Sequence, residues 1–227
     1  MNPAPLGLVV LISGYGSNLQ AIMDAVASGG LAARILAVVS NQAAAPGLDR
    51  ARGANIPAVV VESRPGQPRS EFDEALQSAI APYRPDLIAL AGFMRILTPG
   101  FVQQHAGRML NIHPSLLPRY RGLHTHRRAL EAGDAWHGAS IHYVTEELDG
   151  GPVVRQVRVP VLAGDDDATL AGRVQLAEHR IYPEVIGWIA SGRLAWHRGA
   201  PWLDGQPMEG PIVSDTDELA AVRPSEA

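Results

Sequence analysis

Asn111 and His113 stand two residues apart, and Asp149 lies in an acidic, glycine-rich stretch over 145–152. On an extended segment, side chains two apart leave the same face, so one amide and one imidazole can aim at a single reacting oxygen. A carboxylate beside that imidazole favours its cationic form. Together the three residue types suit acyl-type transfer, with two donors for a tetrahedral oxyanion and proton traffic through ring and carboxylate. They equally fit a buried histidine satisfied by backbone and an acidic turn residue, so the surrounding elements must decide.

A second candidate is the turn Ser13-Gly14-Tyr15-Gly16-Ser17-Asn18. It follows an apolar run and opens a helical pattern, where backbone N–H groups and the helix dipole converge on an anion such as phosphate. The dinucleotide fingerprint is incomplete: Leu19 occupies the third glycine position, and the next strand ends at Ser40-Asn41 without a carboxylate for a ribose diol. No Gly-Lys-Ser/Thr makes it a Walker loop, and a plain strand-to-helix turn with a capping serine is the simpler alternative. His124 and His126 lack a third ligand nearby, so no metal is expected. The other histidines, His142 among them, show no partner pattern, and no Gly-x-Ser-x-Gly elbow is present.

The elements that must position these residues follow an α/β pattern. Short apolar runs at 8–12, 35–39, 58–61, 87–91 and 109–112 alternate with helical patterns, as in a Rossmann-like, mostly parallel sheet with helices on both faces. Ser17 is expected to cap a helix to Ala27, Pro46 and Pro99 to open two others, and Ser70 to cap one reaching Ile80. Residues 114–126 read as a structured loop lining something, with a helix to Ala132 after it. The runs 139–144 and 153–159 alternate like a half-exposed antiparallel hairpin. A last helix over 168–190 sets Leu170, Val174, Ala177, Ile181 and Val185 on one face. One domain over 1–204 is expected, with a nucleotide-binding half to about 100 and a catalytic half beyond, followed by a flexible tail at 205–227.

Composition narrows the function. A chain of 227 residues, 46% hydrophobic and 19% charged, buries a sizeable core. With no cysteine it has no disulfide, thiolate nucleophile or redox dithiol. Nineteen basic against 23 acidic side chains, a net charge of −4, argue against a nucleic-acid or membrane partner. The first apolar run is short and lacks a basic flank, so a cytoplasmic protein is expected. Arg119, Arg121, Arg127 and Arg128 are placed either to draw in anions or to form a solvated face.

Four segments together resemble the phosphoribosylglycinamide formyltransferases, folate-dependent enzymes of purine synthesis. They are Ser13-Gly14-x-Gly16-Ser17-Asn18, Ala91-Gly92-Phe93-Met94-Arg95-Ile96-Leu97, Asn111-Ile112-His113-Pro114-Ser115-Leu116-Leu117-Pro118, and Glu147-Leu148-Asp149-Gly150-Gly151-Pro152. The central segment is shared with methionyl-tRNA formyltransferase and formyltetrahydrofolate hydrolase, and the glycine turn narrows the match. The resemblance implies formyl transfer from 10-formyltetrahydrofolate, a co-substrate, to the ribotide amine without metal, in a monomer or homodimer. It implies catalysis by Asn111, His113 and Asp149, and ribotide binding by Gly16, Ser17, Asn18, Gln175 and Glu178. Folate contacts are implied for Arg69, Met94, Arg95, Ile96, Leu97, Asn111, and the Thr145, Glu146, Glu147, Leu148, Asp149 loop. A cis peptide is expected at Leu117-Pro118. Arg121 stands where relatives can carry proline.

Overall fold

The computed structural model describes residues 4–216. Strand β1 (Leu6–Ile12) is buried from Gly7 onward, because its apolar run is covered on both faces. Leu8, Val10 and Ile12 face α1 (Ser17–Ala27), α2 (Pro46–Gly53) and α6 (Asp167–Ala190). Val9 and Leu11 face α3 (Arg69–Ile80) and α4 (Pro99–Gln104). Each such side chain, fully withdrawn from water, contributes about 1.5–3 kcal/mol.

The main sheet has the order β11-β7-β6-β5-β4-β1-β2-β3. Here β2 is Ala33–Ser40, β3 Ala58–Val60, β4 Leu87–Leu90 and β5 Met109–His113, all parallel to β1. Strands β6 (Trp136–Tyr143) and β7 (Val153–Pro160) then reverse direction in turn. The chain moves outward from β1 through β2 to β3, then returns to β4 on the other side. The carboxyl ends of β1 and β4 therefore form a switch-point crevice, where open α/β sheets bind ligands.

Several expectations need correction. Ser17 does not cap α1; the cap position is Gly16, in the left-handed conformation (φ 75°). Pro68, not Ser70, precedes α3, whose first residue is Arg69. The hairpin is not half exposed: β6 is buried from His137 to Tyr143. Ala139, Ile141 and Tyr143 pack with the stripe of α6 on one face, while the loop at 114–126 hydrogen-bonds to the polar residues of the other.

The segment beyond 204 is not loose throughout. After β8 (Leu194–His197) and β9 (Ala200–Leu203), β10 (Gln206–Pro207) completes a three-stranded sheet, and β11 (Ile212–Asp215) adds to β7 in parallel. The Arg158 guanidinium grips both Asp215 oxygens at 2.6 and 2.9 Å. The rest of the expected tail, 217–227, lies outside the described residues.

The loop at 114–126 rests on buried polar contacts. Ser140 Oγ accepts from Leu117 N at 3.0 Å and donates to Ser115 O at 2.6 Å, while Gln156 donates to Leu117 O at 2.8 Å. The Leu117-Pro118 peptide is cis. Tyr120 Oη and Arg119 both donate to Asp134, at 2.6 and 2.8 Å, and Arg128 donates to Arg121 O at 2.7 Å. These arginines knit the loop together. Beneath it, His137 on β6 meets His126 of α5 (Thr125–Glu131) at 3.1 Å, Nε2 to Nδ1. Burial, and then the neighbouring His126, push the His137 pKa from 6.5 down to about 4.

Two outcomes follow. Gly47 packs so tightly behind the first turn that a β-carbon there would strike Ile12 Cδ1 and lie 3.1 Å from Gly14 O. Gly47→Ala should therefore cost about 1–3 kcal/mol and lower Tm by several degrees; an unchanged melting curve would contradict this packing. His137 gives the second. As pH falls below 6.5 the unfolded chain takes up a proton there that the folded chain refuses until about 4, so this contribution to stability is whole above that window and declines within it. Tm of His137→Phe should fall less steeply than wild type over that range, and equal slopes would rule the buried neutral histidine out.

Candidate active site

Antiparallel pairing of β5 and β6 builds the centre of the site. Asn111 stands opposite His142, and His113 opposite Ser140. Asn111 Nδ2 lies 3.0 Å from His142 Nε2, and His142 Nδ1 lies 3.0 Å from Tyr143 O. Burial lowers the His142 pKa.

Asp149 reaches this pair from the β6–β7 loop, in a left-handed backbone conformation (φ 48°). Its Oδ2 accepts from Gly122 N at 2.9 Å and lies 3.5 Å from His113 Nδ1, while Oδ1 lies 3.7 Å from His142 Nε2. His113 Nε2 donates to Tyr120 O at 2.9 Å. Both ring nitrogens of a buried His113 thus face acceptors, which suits an imidazolium. The three residues singled out in the sequence lie together. His142, Tyr120 O and Gly122 N join them, none of which residue type and spacing single out. A signal for His142 existed: Ser140 and His142 are themselves two apart, the same period as Asn111 and His113.

Asn111, His142 and Asp149 line a narrow cleft of about 80 Å³, with Arg95, Ile96, Leu97, Thr145, Glu146, Glu147 and Leu148. Arg95 and Ile96 also line an outer hollow of about 590 Å³, where Met94 and Arg69 sit with Arg64 and Gln67. Ser13 positions the segment between them: its hydroxyl donates to Asn41 and accepts from Met94 N at 2.7 Å. Asp73 accepts from Thr98 N at 2.6 Å, and Arg95 lies over the Phe72 ring at 4.2 Å. Across the mouth, Arg121 is ion-paired to Glu147, and Gln103 donates to Glu146 at 2.6 Å.

The glycine turn faces a third hollow, of about 480 Å³, lined by Ser17, Gln175, Arg50 and Tyr15 among others. Gly16 backs onto Gly47, whose N–H donates to Gly14 O at 3.1 Å. A β-carbon on Gly16 would lie 2.9 Å from Gly47 Cα, so the turn requires glycine twice over, by contact and by conformation. Asn18 donates to Glu178 at 2.8 Å, and burial pushes the Glu178 carboxyl up to about 7. Gly16, Ser17, Asn18, Gln175 and Glu178 are thus gathered where α1 and α6 meet. His126 pairs with His137 and not with His124; among the described residues no three His, Asp or Glu side chains are placed to hold a metal.

Comparison with known proteins gives the family. Residues 6–186 match the formyl transferase family model. The chain is 56% identical over 201 residues to phosphoribosylglycinamide formyltransferase of Escherichia coli (strain K12), covering 88% of this chain and 95% of that one. Identity to the Haemophilus influenzae protein of the same name is 47% over 201 residues, again 88% and 95% of the two chains. A solved phosphoribosylglycinamide formyltransferase from Coxiella burnetii superposes with a TM-score of 0.86 at 50% identity, over 92% of this chain and 99% of that one. The chain belongs to the formyl transferase family, and within it to the phosphoribosylglycinamide formyltransferases.

Proposed function

We propose that this enzyme moves a formyl group from 10-formyltetrahydrofolate to the amine of phosphoribosylglycinamide, using Asn111, His113 and Asp149. The observation that carries this reading is the meeting of those side chains beside a narrow cleft, with the glycine turn and its hollow on one side and an outer hollow on the other. The ribotide phosphate is read onto the N–H groups of Gly16, Ser17 and Asn18, with Gln175 and Glu178 on the sugar and glycinamide. The folate is read onto Met94, Arg95, Ile96, Leu97 and the 145–149 loop, with Arg69 at the outer hollow. Among the described residues no helix is long and apolar enough to cross a membrane. We assign the reaction to the cytoplasm, in a monomer or homodimer.

In the reaction, the glycinamide nitrogen attacks the formyl carbon and a new C–N bond forms. Negative charge collects on the formyl oxygen, where an Asn111 N–H and the His113 imidazolium stabilise it. The bond from carbon to the folate N10 then breaks, and the proton lost by the attacking amine ends on that nitrogen, relayed by His113 or a water. Nδ1 is the looser His113 contact, 3.5 Å from Asp149 against 2.9 Å for Nε2 to Tyr120 O. It is therefore the donor read as shared with substrate.

The deciding assay mixes the protein with 10-formyl-5,8-dideazafolate and glycinamide ribonucleotide and follows folate-product absorbance. Product formation should depend on the ribotide; equal rates without it would make the protein a hydrolase. His113→Ala should lower turnover at least about a hundredfold while ribotide binding persists, as for loss of an acid catalyst. Glu178 adds a pH dependence. As a carboxylate it accepts hydrogen bonds from the ribotide, so affinity should rise as pH increases through about 7. The ribotide phosphate titrates nearby, at about 6, so the comparison is with Glu178→Gln. A Kd profile unchanged by that substitution would remove Glu178 from the linkage.

A further inference from the structure

We propose that His142 is a positioning residue that fixes which way round the Asn111 amide stands, so that Asn111 meets the reacting oxygen as a donor. The carbonyl oxygen of Tyr143, 3.0 Å from His142 Nδ1, can only accept, so Nδ1 carries the ring proton. In the neutral ring Nε2 is then a lone pair, and it takes a hydrogen bond from Asn111 Nδ2 at 3.0 Å. Half a turn of the amide would set its oxygen against that lone pair, acceptor to acceptor. One Nδ2 hydrogen is held by the ring, and the other is left for substrate.

The surroundings keep the ring neutral. His142 is 2% exposed. Burial disfavours its cation, as do His113 on β5 and Arg121 on the 114–126 loop. The Tyr143 carbonyl and Asp149, on the β6–β7 loop, oppose them. A protonated His142 would donate from Nε2, turn the Asn111 amide around and draw Asp149 away from His113. The backbone also serves this placement: the β6–β7 register shifts between Ile141 and His142, an irregularity of the kind that re-aims a side chain.

The inference rests on the oxyanion role of Asn111, and its test separates the two. His142→Phe should lower kcat about ten- to a hundredfold, a fraction of what a lost oxyanion donor costs, with little change in KM for either substrate. His142→Gln, whose Oε1 can stand in for Nε2 as acceptor, should recover most of the loss. In an Asn111→Ala background, His142→Phe should add little, because its effect passes through the amide. Independently of activity and of any variant's folding, ¹⁵N NMR of the wild-type protein at neutral pH should find His142 as the neutral Nδ1–H tautomer. Wild-type kcat in His142→Phe, independent losses in the double variant, or an Nε2–H tautomer would each overturn the inference. An Asn111→Ala enzyme turning over at the wild-type rate would remove the oxyanion role, and this inference with it.

Discussion

One carboxylate oxygen, Oδ2 of Asp149, joins the two loops that enclose the site. It accepts the N–H of Gly122 and faces Nδ1 of His113, while the neighbouring Tyr120 carbonyl takes Nε2 of the same ring. The histidine is thus oriented by two backbone segments at once. A charged acceptor in a buried place is costly unless its partners are fixed. Much of the surrounding structure serves to fix them: Ser140 and Gln156 hold the chain around Leu117, Asp134 holds Tyr120, and Arg121 reaches across to Glu147.

The sheet makes this economical. Parallel strands β1, β4 and β5 bring their carboxyl ends to one edge, and the reversal at β6 lays a second polar row beside Asn111 and His113. The glycine turn follows β1, the segment at 91–97 follows β4, and Asn111 and His113, the proposed reacting groups, stand on β5. Adjacent strands lie about 4.8 Å apart, so the three proposed binding functions would converge without any one loop supplying them all. On the proposed assignment an acidic chain binds two anionic substrates because the first anion would meet backbone N–H groups and a helix end, where net charge matters little.

Much of this was legible in the sequence. The central strands showed because burial on both faces demands unbroken apolar runs, and Leu8 to Ile12 is such a run. Asn111 and His113 showed because their spacing matches the pleat. His142 did not, since its meaning depends on which residue it faces across β5 and β6, and register is a tertiary property. The hairpin differs from its sequence pattern for the same reason: Ser140 and His142 alternate with apolar residues as solvent-facing positions do, yet they are the inward polar row. Backbone donors and acceptors such as Gly122 N and Tyr120 O leave no mark in residue types. The pairing of β11 with β7 was hidden by a segment rich in glycine, proline and acidic residues.

The central claim is direct transfer between two bound substrates, and isotope fate tests it most directly. With 10-formyltetrahydrofolate labelled in the formyl carbon and unlabelled ribotide, mass spectrometry of quenched mixtures should find the label in formylglycinamide ribonucleotide, with the protein mass unchanged at every time point. Label appearing as formate at the same rate with or without ribotide, or on the protein itself, would contradict it.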